Sequence, residues 1–438
     1  MQNHSLIIIA KICYNYYMLL KNRIKINIPK FPKMIIEELE KNGFCAYIVG
    51  GCVRDELLGD KPSDYDITTN AKPEDIKRIF RRTIDTGIKH GTITVLFYEK
   101  NIPYTYEVTT YRIDGEYNDG RHPENVFFVD NLKEDLSRRD FTINAMAYND
   151  KDGLVDEFNG IEDLQNKIVR TVGNPIDRFT EDALRLMRAV RFSAKLGFDI
   201  EEETRKAIPI LSKNLSKISK ERIQVELTKI LTSDNPIFVK QLFELKLSRY
   251  ICDSFEDINI GKFDKKLPTH LAYACLFYNL DAEKAKKMLK ELRFDNENIS
   301  KVYSLIYALD MYREYKNIYK KYGAHNIKTD IEIKKMINYL GYDLMFDFIK
   351  LIDINDDDKK AIICIRNRAE TFKKKNTPIF IKDLNISGDD ILKIGFEGKE
   401  IGIVLSELLD LVHKNDTFND KKLLQDITKK VYNIYKVI

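Results

Sequence analysis

The chain has 438 residues, of which 44% are hydrophobic and 32% charged, so it is neither disordered nor fibrous; at about 150 residues per domain it holds roughly three domains. Its 72 basic and 68 acidic side chains leave a formal net charge of only +4, so any nucleic-acid binding must come from local clusters and not from a global field. No apolar run reaches the about 18 residues of an ordinary membrane span.

Residues 1–28 differ in character from the rest of the chain. Two mostly apolar stretches, Leu6–Ala10 and Tyr14–Leu20, flank Lys11; Met1–His4 carries no positive charge and no A-x-A site is present, so the segment reads as a loose extension or an upstream start codon, not a secretory signal. Pro29–Pro32 breaks the chain, and a helix is expected over Lys33–Asn42. Ala46–Val49 predicts a strand entering a turn at Gly50-Gly51, and Val53–Leu58 a short helix stopped by Gly59. Tyr65–Thr68 predicts a strand, and Lys72–Arg81 a helix with Pro73 in its first turn. Thr92–Tyr98 and Thr105–Arg112 read as an antiparallel hairpin turning at Asn101-Ile102-Pro103. Ile113–His122 is a long Gly-, Asp- and Asn-rich loop, of the kind that is functional or disordered. Phe141–Tyr148 and Leu154–Phe158 return to strand or buried character.

After residue 180 the pattern is helical. Thr180 is expected to cap a helix with Glu181 and Asp182 in its first turn, running to Leu196 and stopped by Gly197. Ser219–Leu231, Ala282–Leu292, Ile299–Tyr319 and Ile331–Leu351 continue in the same way, the last broken near Gly341. No internal repeat is present. The expected fold is α+β: a small mixed-sheet head followed by an elongated all-α remainder.

Three constellations carry chemistry. In Gly50–Asp55, two glycines between a strand and a helix let backbone amides approach an anion, and Arg54 offers a fork to a phosphate oxygen. Asp64 and Asp66, two apart at a strand start, project to one face; carboxylates that close repel unless a hard cation such as Mg²⁺ lies between them. Either feature alone is common, but the succession of anion cradle and carboxylate pair is specific. The second constellation, Asp135–Met146, is densely polar before an apolar run; a functional reading places Arg139 or Asn144 on a nucleotide's ribose or phosphate, but by itself the segment reads as a capped turn in which Asp140 or Thr142 satisfies backbone amides. The third, Glu181–Phe192, places Asp182 and Arg185 three apart as neighbours on one helix face, and carries Arg185, Arg188 and Arg191 at three-residue spacing, which sweeps round the helix. The six cysteines, Cys13, Cys45, Cys52, Cys252, Cys275 and Cys364, form no CxxC pair, which suits a reducing cytosol.

Gly50–Asp55, Leu57–Asp66, Asp135–Met146, Glu181–Phe192 and Ser219–Leu227 together resemble the class II CCA-adding tRNA nucleotidyltransferases, of the superfamily that includes bacterial poly(A) polymerases. Leu289–Phe294 and Gly398–Gly402 resemble body and tail signatures of the short-tailed, Bacillus-type members, and the resemblance runs from residue 31 to the end. It implies a nucleotidyltransferase head over 29–175, a neck over 176–240, and a body and tail over 241–438 that hold tRNA. It further implies Mg²⁺ at Asp64 and Asp66 as catalytic carboxylates. Gly50, Gly51, Arg54 and Arg139 would contact the nucleotide, and Asp182, Arg185, Arg188 and Arg191 would read its base and hold its phosphates. Ile113–His122 matches the family's flexible loop, and Glu107 is a candidate third carboxylate whose commoner explanation is an exposed strand residue. The implied partners are the tRNA 3′ end, CTP and ATP, without a membrane.

Base choice has a physical rationale. Cytosine and adenine both present an amino donor beside an unprotonated ring nitrogen, whereas uracil and guanine present a carbonyl beside a ring N–H. A carboxylate only accepts and a guanidinium only donates, so Asp182 facing the amino group and Arg185 facing the ring nitrogen match C and A. Mismatched buried polar groups give discrimination of ~10⁴. Basic neck residues (Lys213, Lys217, Lys220, Arg222, Lys229) and Lys373–Lys375 are candidates for touching RNA phosphates, although a charge run is more often a solvated face. A poly(A) polymerase or A-only enzyme of the same superfamily is the close alternative, and a catalytically silent RNA-binding module the alternative of another class, opposed by the intact Asp64 and Asp66. A phosphohydrolase is disfavoured because no His-Asp dipeptide occurs; His270 reads as a core or surface histidine.

Overall fold

The computed structural model describes residues 24–115 and 126–435. Residues 1–23 of the extension and 116–122 of the polar loop lie outside the described residues. Ile26 and Ile28, at the end of the extension, are buried. The chain divides into two compact units, one ending at Asp253 and the other beginning at Ser254.

The first unit is built on a seven-stranded mixed sheet of order β3-β4-β5-β2-β1-β8-β9. Its strands are β1 (Ala46–Val49), β2 (Asp66–Thr69), β3 (Thr83–Gly87), β4 (Thr92–Glu99), β5 (Ile102–Thr110), β8 (Met146–Asn149) and β9 (Gly153–Asp156). The parallel pair β2–β5 makes the sheet mixed; every other pairing is antiparallel. Between β5 and β8, β6 (Arg112–Asp114) pairs with β7 (Val126–Phe128). The hairpin of β4 and β5 turns on Lys100 and Asn101, both at positive φ, as a tight two-residue hairpin requires. The turn therefore falls two residues before the expected Pro103, which sits inside β5 opposite Tyr98. Edge strand β3 escapes sequence reading because TIDTG has no alternation of apolar residues.

Helices α1 (Lys30–Lys41), α2 (Gly51–Leu57), α3 (Pro73–Ile79), α4 (Leu132–Ser137) and α5 (Gly160–Asn166) accompany the sheet. Helix α1 starts earlier than expected: Pro32 falls in the first turn, where its missing N–H has no helical partner to lose, and Phe31, Ile35, Ile36 and Leu39 are buried.

The helical expectation around Thr180 is corrected. A helix α6 (Pro175–Glu181) already precedes it, started by Asn174, whose side chain accepts from Ile176 N at 2.9 Å, with Pro175 in the first helical position. Thr180 and Glu181 end that helix. Asp182 then adopts an extended conformation, and α7 (Leu184–Leu196) begins beyond it, ending at Gly197 with φ 69°. The Asn-Pro pair at 174–175 is the stronger start signal, so Thr180 spends its hydroxyl on the carbonyl of Ile176 instead of a cap. Strands β10 (Ile168–Val169) and β11 (Asp199–Ile200) pair in parallel, and α8 (Glu202–Leu211), α9 (Lys220–Leu231) and α10 (Lys240–Glu244) complete the unit.

The second unit is helical among its described residues: α11 (Thr269–Leu276), α12 (Ala282–Glu291), α13 (Asn296–Tyr322), α14 (Ile327–Asn355), α15 (Lys359–Lys374), α16 (Gly388–Ile394), α17 (Lys399–Lys414) and α18 (Lys421–Tyr435). Gly341 breaks α14 with φ 72° and ψ 163°, as its place in the sequence suggests. His270 is partly buried and hydrogen-bonds Asp347 at 2.7 Å. Lys373 lies over the rings of Tyr342 and Phe346. Among the described residues no helix is long and apolar enough to cross a membrane.

Candidate active site

The site assembles at the end of β1. Gly50 occupies a turn with φ 81°, and a Cβ there would approach Arg139 Nη1 to 3.0 Å, so both backbone and space call for glycine. Its N–H donates to the Met146 carbonyl at 3.0 Å, tying the turn to β8. Gly51 opens α2, which carries Arg54. That guanidinium is 3% exposed; its Nη1 donates to Asn144 Oδ1, and Nε and Nη2 donate to Asp55 Oδ1 at 2.8 and 2.6 Å. Asp55 also holds Lys195 Nζ at 3.1 Å.

Strand β2 begins at Asp66, one residue later than expected, so Asp64 lies in the loop before it and takes a hydrogen bond from Ser63 Oγ at 3.0 Å. Both carboxylates nevertheless face the same cavity. The Asp66 carboxyl is pushed up to about 6: the surrounding protein strips its hydration, and the charges of Asp64 and, more weakly, Glu107 repel its own against the pull of Arg139. Two hard oxygen donors in mutual repulsion are the donor set a small divalent cation relieves, so Asp64 and Asp66 fit such an ion. Glu107, on β5, acts on Asp66 through its charge but does not line the cavity.

The polar segment after α4 supplies the opposite wall. Asp135 is fully buried, takes Thr68 Oγ1 at 3.0 Å and Arg138 Nε at 2.9 Å, and holds Arg139 Nη2 at 3.4 Å. Burial alone would raise its carboxyl; Arg138 and Arg139 hold it below the usual range. Asp140 accepts from Phe141 N and Asn144 Nδ2 through Oδ1 and from Arg188 Nε and Nη2 through Oδ2 at 2.7 and 2.5 Å. Burial opposes that ionised carboxylate, and the Arg188 guanidinium holds it well below the ordinary range all the same. The capped-turn reading of this segment is right for Asp140, and the same residue also anchors an arginine from α7.

Asp182 and Arg185 are not the helix-face neighbours expected of them. Asp182 stands before α7, where its Oδ1 accepts from Leu184 N at 3.0 Å and its Oδ2 from Arg222 Nη2 of α9 at 2.9 Å. Arg185 turns to Glu181 at 2.6 Å and to the carbonyls of Arg178 and Arg138 at 3.0 and 2.9 Å. Arg191 pairs with Glu226 of α9 at 2.8 Å, and Arg188 approaches the same carboxylate at 3.9 Å. Burial lowers the Arg191 guanidinium to about 10.

The elements that carry these residues bound one cavity of about 740 Å³. It takes in Gly50, Gly51, Arg54, Asp64, Asp66, Arg139, Asp182, Arg185, Arg188 and Arg191, all singled out from sequence, but not Glu107. Nine basic side chains line it against six acidic ones. Sequence reading missed the roles of Asp55, Phe192 and Glu226; Asn144, a candidate nucleotide contact from sequence, lines the cavity and bonds Arg54 and Asp140. Asp55 and Phe192 sat inside the quoted motifs, but only folding shows what they touch. Glu226 carried a usable signal, an acidic residue four after Arg222 on the inner face of an amphipathic helix. Arg222 and Lys229, grouped from sequence with the tRNA-facing lysines, are walls of this cavity, and Lys220 binds the Ile251 carbonyl at 2.6 Å.

Comparison with known proteins shows the family. A family model described as the poly A polymerase head domain matches residues 46–170, and one described as the probable RNA and SrmB-binding site of polymerase A matches 197–258. The CCA-adding enzyme of Leuconostoc mesenteroides is 34% identical over 414 residues, covering 91% of this chain and 96% of that protein. The CCA-adding enzyme of Ligilactobacillus salivarius is 36% identical over 421 residues, covering 92% and 98%. The crystal structure of the Bacillus stearothermophilus CCA-adding enzyme in complex with CTP, at 28% identity, matches with a TM-score of 0.76 over 93% of this chain and 99% of that one. With full-length relatives above 30% identity and a shared fold, the chain belongs to the family of CCA-adding enzymes.

Proposed function

We propose that the protein is a nucleotidyltransferase that adds the terminal CCA to tRNA, transferring CMP and AMP from CTP and ATP without a nucleic-acid template. The observation that carries this reading is the meeting, in one cavity, of a carboxylate pair, a set of arginines, and Asp182 and Arg185 with complementary hydrogen-bonding character. The reaction is in-line attack of an RNA 3′-hydroxyl on the α-phosphate, with release of pyrophosphate.

Within that scheme Asp64 and Asp66 hold Mg²⁺, which when bound supplies charge neutralisation at the reacting phosphate and activation of the hydroxyl. Arg54, Arg139, Arg188 and Arg191 hold phosphates at the cavity wall. Asp182 accepts from the base's amino group while Arg185 donates to its ring nitrogen, a match that C and A share and U and G do not. Gly50 and Gly51 keep the wall beside Arg139 and Arg54 free of side-chain bulk. Residues 29–175 form the catalytic head, 176–240 the neck that reads the base, and 241–438 the part that holds tRNA, all acting in the cytoplasm.

The test is extension of tRNA lacking its terminal CCA with each nucleotide alone and in mixture. Incorporation of two C and then one A supports the assignment. Incorporation of A alone, or of long A tracts, defeats it.

A further inference from the structure

The side chain at the centre of the arginine set is an aromatic ring. Phe192, on α7, is only 4% exposed, and its ring is set by an edge contact with Phe141 at 5.6 Å and 76°. Three guanidinium carbons surround it, Arg54 at 5.1 Å, Arg188 at 5.3 Å and Arg191 at 3.8 Å from the ring centroid. Two come from its own helix and one from α2, so the ring joins the glycine turn to the arginine helix. Each arginine has a carboxylate partner, Asp55, Asp140 or Glu226.

We infer that Phe192 is a positioning residue: its ring gathers Arg54, Arg188 and Arg191 into a preformed seat for a triphosphate. The physical argument rests on charge. Three cations in a partly desolvated wall repel one another, and their carboxylates Asp55, Asp140 and Glu226 do not join Arg54 to the other two. Another carboxylate at that point would do so by cancelling positive charge and would then repel the phosphates. An aromatic face attracts guanidinium through its quadrupole and carries no net charge, so the field aimed at the phosphates survives. Phe192 acts through the arginines it touches, by sparing binding the cost of collecting splayed side chains. This inference rests on the proposed function, in which the arginines hold the triphosphate.

The experiment replaces Phe192 in the full chain with mono-, di- and trifluorophenylalanine. These keep the ring's shape and progressively weaken its negative face; Phe192→Leu removes the ring altogether. Binding of inorganic tripolyphosphate and of CTP is measured by calorimetry, with KM and kcat on tRNA lacking its CCA, and Arg188→Gln and Arg191→Gln run alongside. The expected result is a stepwise weakening with each fluorine, reaching about 3- to 10-fold for three, given the strength of cation–π contacts in desolvated sites. KM for CTP and ATP rises in parallel while kcat holds, which a merely structural role would not produce. Unchanged affinity across the fluorinated series, with the arginine variants weakened, overturns the role of Phe192 and leaves the triphosphate reading standing. Unchanged affinity in the arginine variants as well overturns both. The fluorinated series decides the matter even if Phe192→Leu fails to fold.

Discussion

Arg222 of α9 donates its Nη2 to Oδ2 of Asp182 at 2.9 Å, so a helix 40 residues downstream sets the orientation of the carboxylate proposed to read the base. The other Asp182 oxygen is held by Leu184 N, which leaves the carboxylate fixed at both ends. An acceptor held in this way discriminates because it cannot rotate to suit a carbonyl in place of an amino group. Asp182→Ala should therefore blur nucleotide choice more than it slows incorporation of a correct nucleotide. Arg222→Gln should reduce the preference for C and A over U by about tenfold, with Arg222→Lys partly restoring it. Single-nucleotide incorporation with all four triphosphates checks both; an equal loss for all four with preference intact contradicts the reading.

Asp64→Asn and Asp66→Asn should each lower incorporation by about 10³ or more, because the amide keeps the shape and removes a charged metal ligand. Both side chains are open to the cavity. Thermal unfolding of the two variants should accordingly match the parent closely, and normal turnover in either would sink the assignment of the carboxylate pair.

Glu226 is 3% exposed and faces the guanidiniums of Arg188 and Arg191. Glu226→Leu removes the carboxylate and leaves two partly buried cations with less to balance them. Breaking a buried ion cluster in this manner costs about 3–5 kcal/mol. Urea unfolding of the variant should show a loss of that order, whereas replacement of exposed Glu203, which pairs with Lys206, should change stability by less than about 1 kcal/mol.

In the second unit, His413 is 2% exposed and titrates below its ordinary value of 6.5. Burial is the larger cause, and the Lys334 charge adds to it; the Ile379 carbonyl, Asp410 and Asp416 act in the opposite direction. The unfolded chain thus takes up a proton on His413 before the folded chain does. Stability from the neutral imidazole is fully present above pH 6.5 and declines as pH falls below it. Denaturation at pH 7.5 and pH 5.5 should show a larger acid loss for the parent than for His413→Gln, and equal losses would contradict the shift.

The motifs were legible because each is a run of unusual residues close together. Gly50-Gly51 marks a turn whose positive φ at Gly50 calls for glycine, and Asp64 with Asp66 comes next at a strand start. The arginines of α7 recur at a spacing that no purely apolar helix face would need. What sequence spacing misjudged was direction. Asp182 and Arg185 looked like partners because they are three apart, yet α7 starts after Asp182, and a residue before a helix does not share its face. Arg222 looked like one of several phosphate-facing neck residues, and its actual partner is Asp182.

Most of the order and kind of elements, the turn glycines and the roster of charged candidates were determined by the sequence itself, because backbone sterics and hydrophobic periodicity act over a few residues. The pairing of those charges was decided only by tertiary structure. Asp140 with Arg188, Asp182 with Arg222, Glu226 with Arg191 and Phe192 among three guanidiniums are contacts between distant segments or between faces of a helix whose start had to be known. Coulomb and cation–π attraction depend on distance in space, and only the packing of α2, α7 and α9 around the sheet sets that distance.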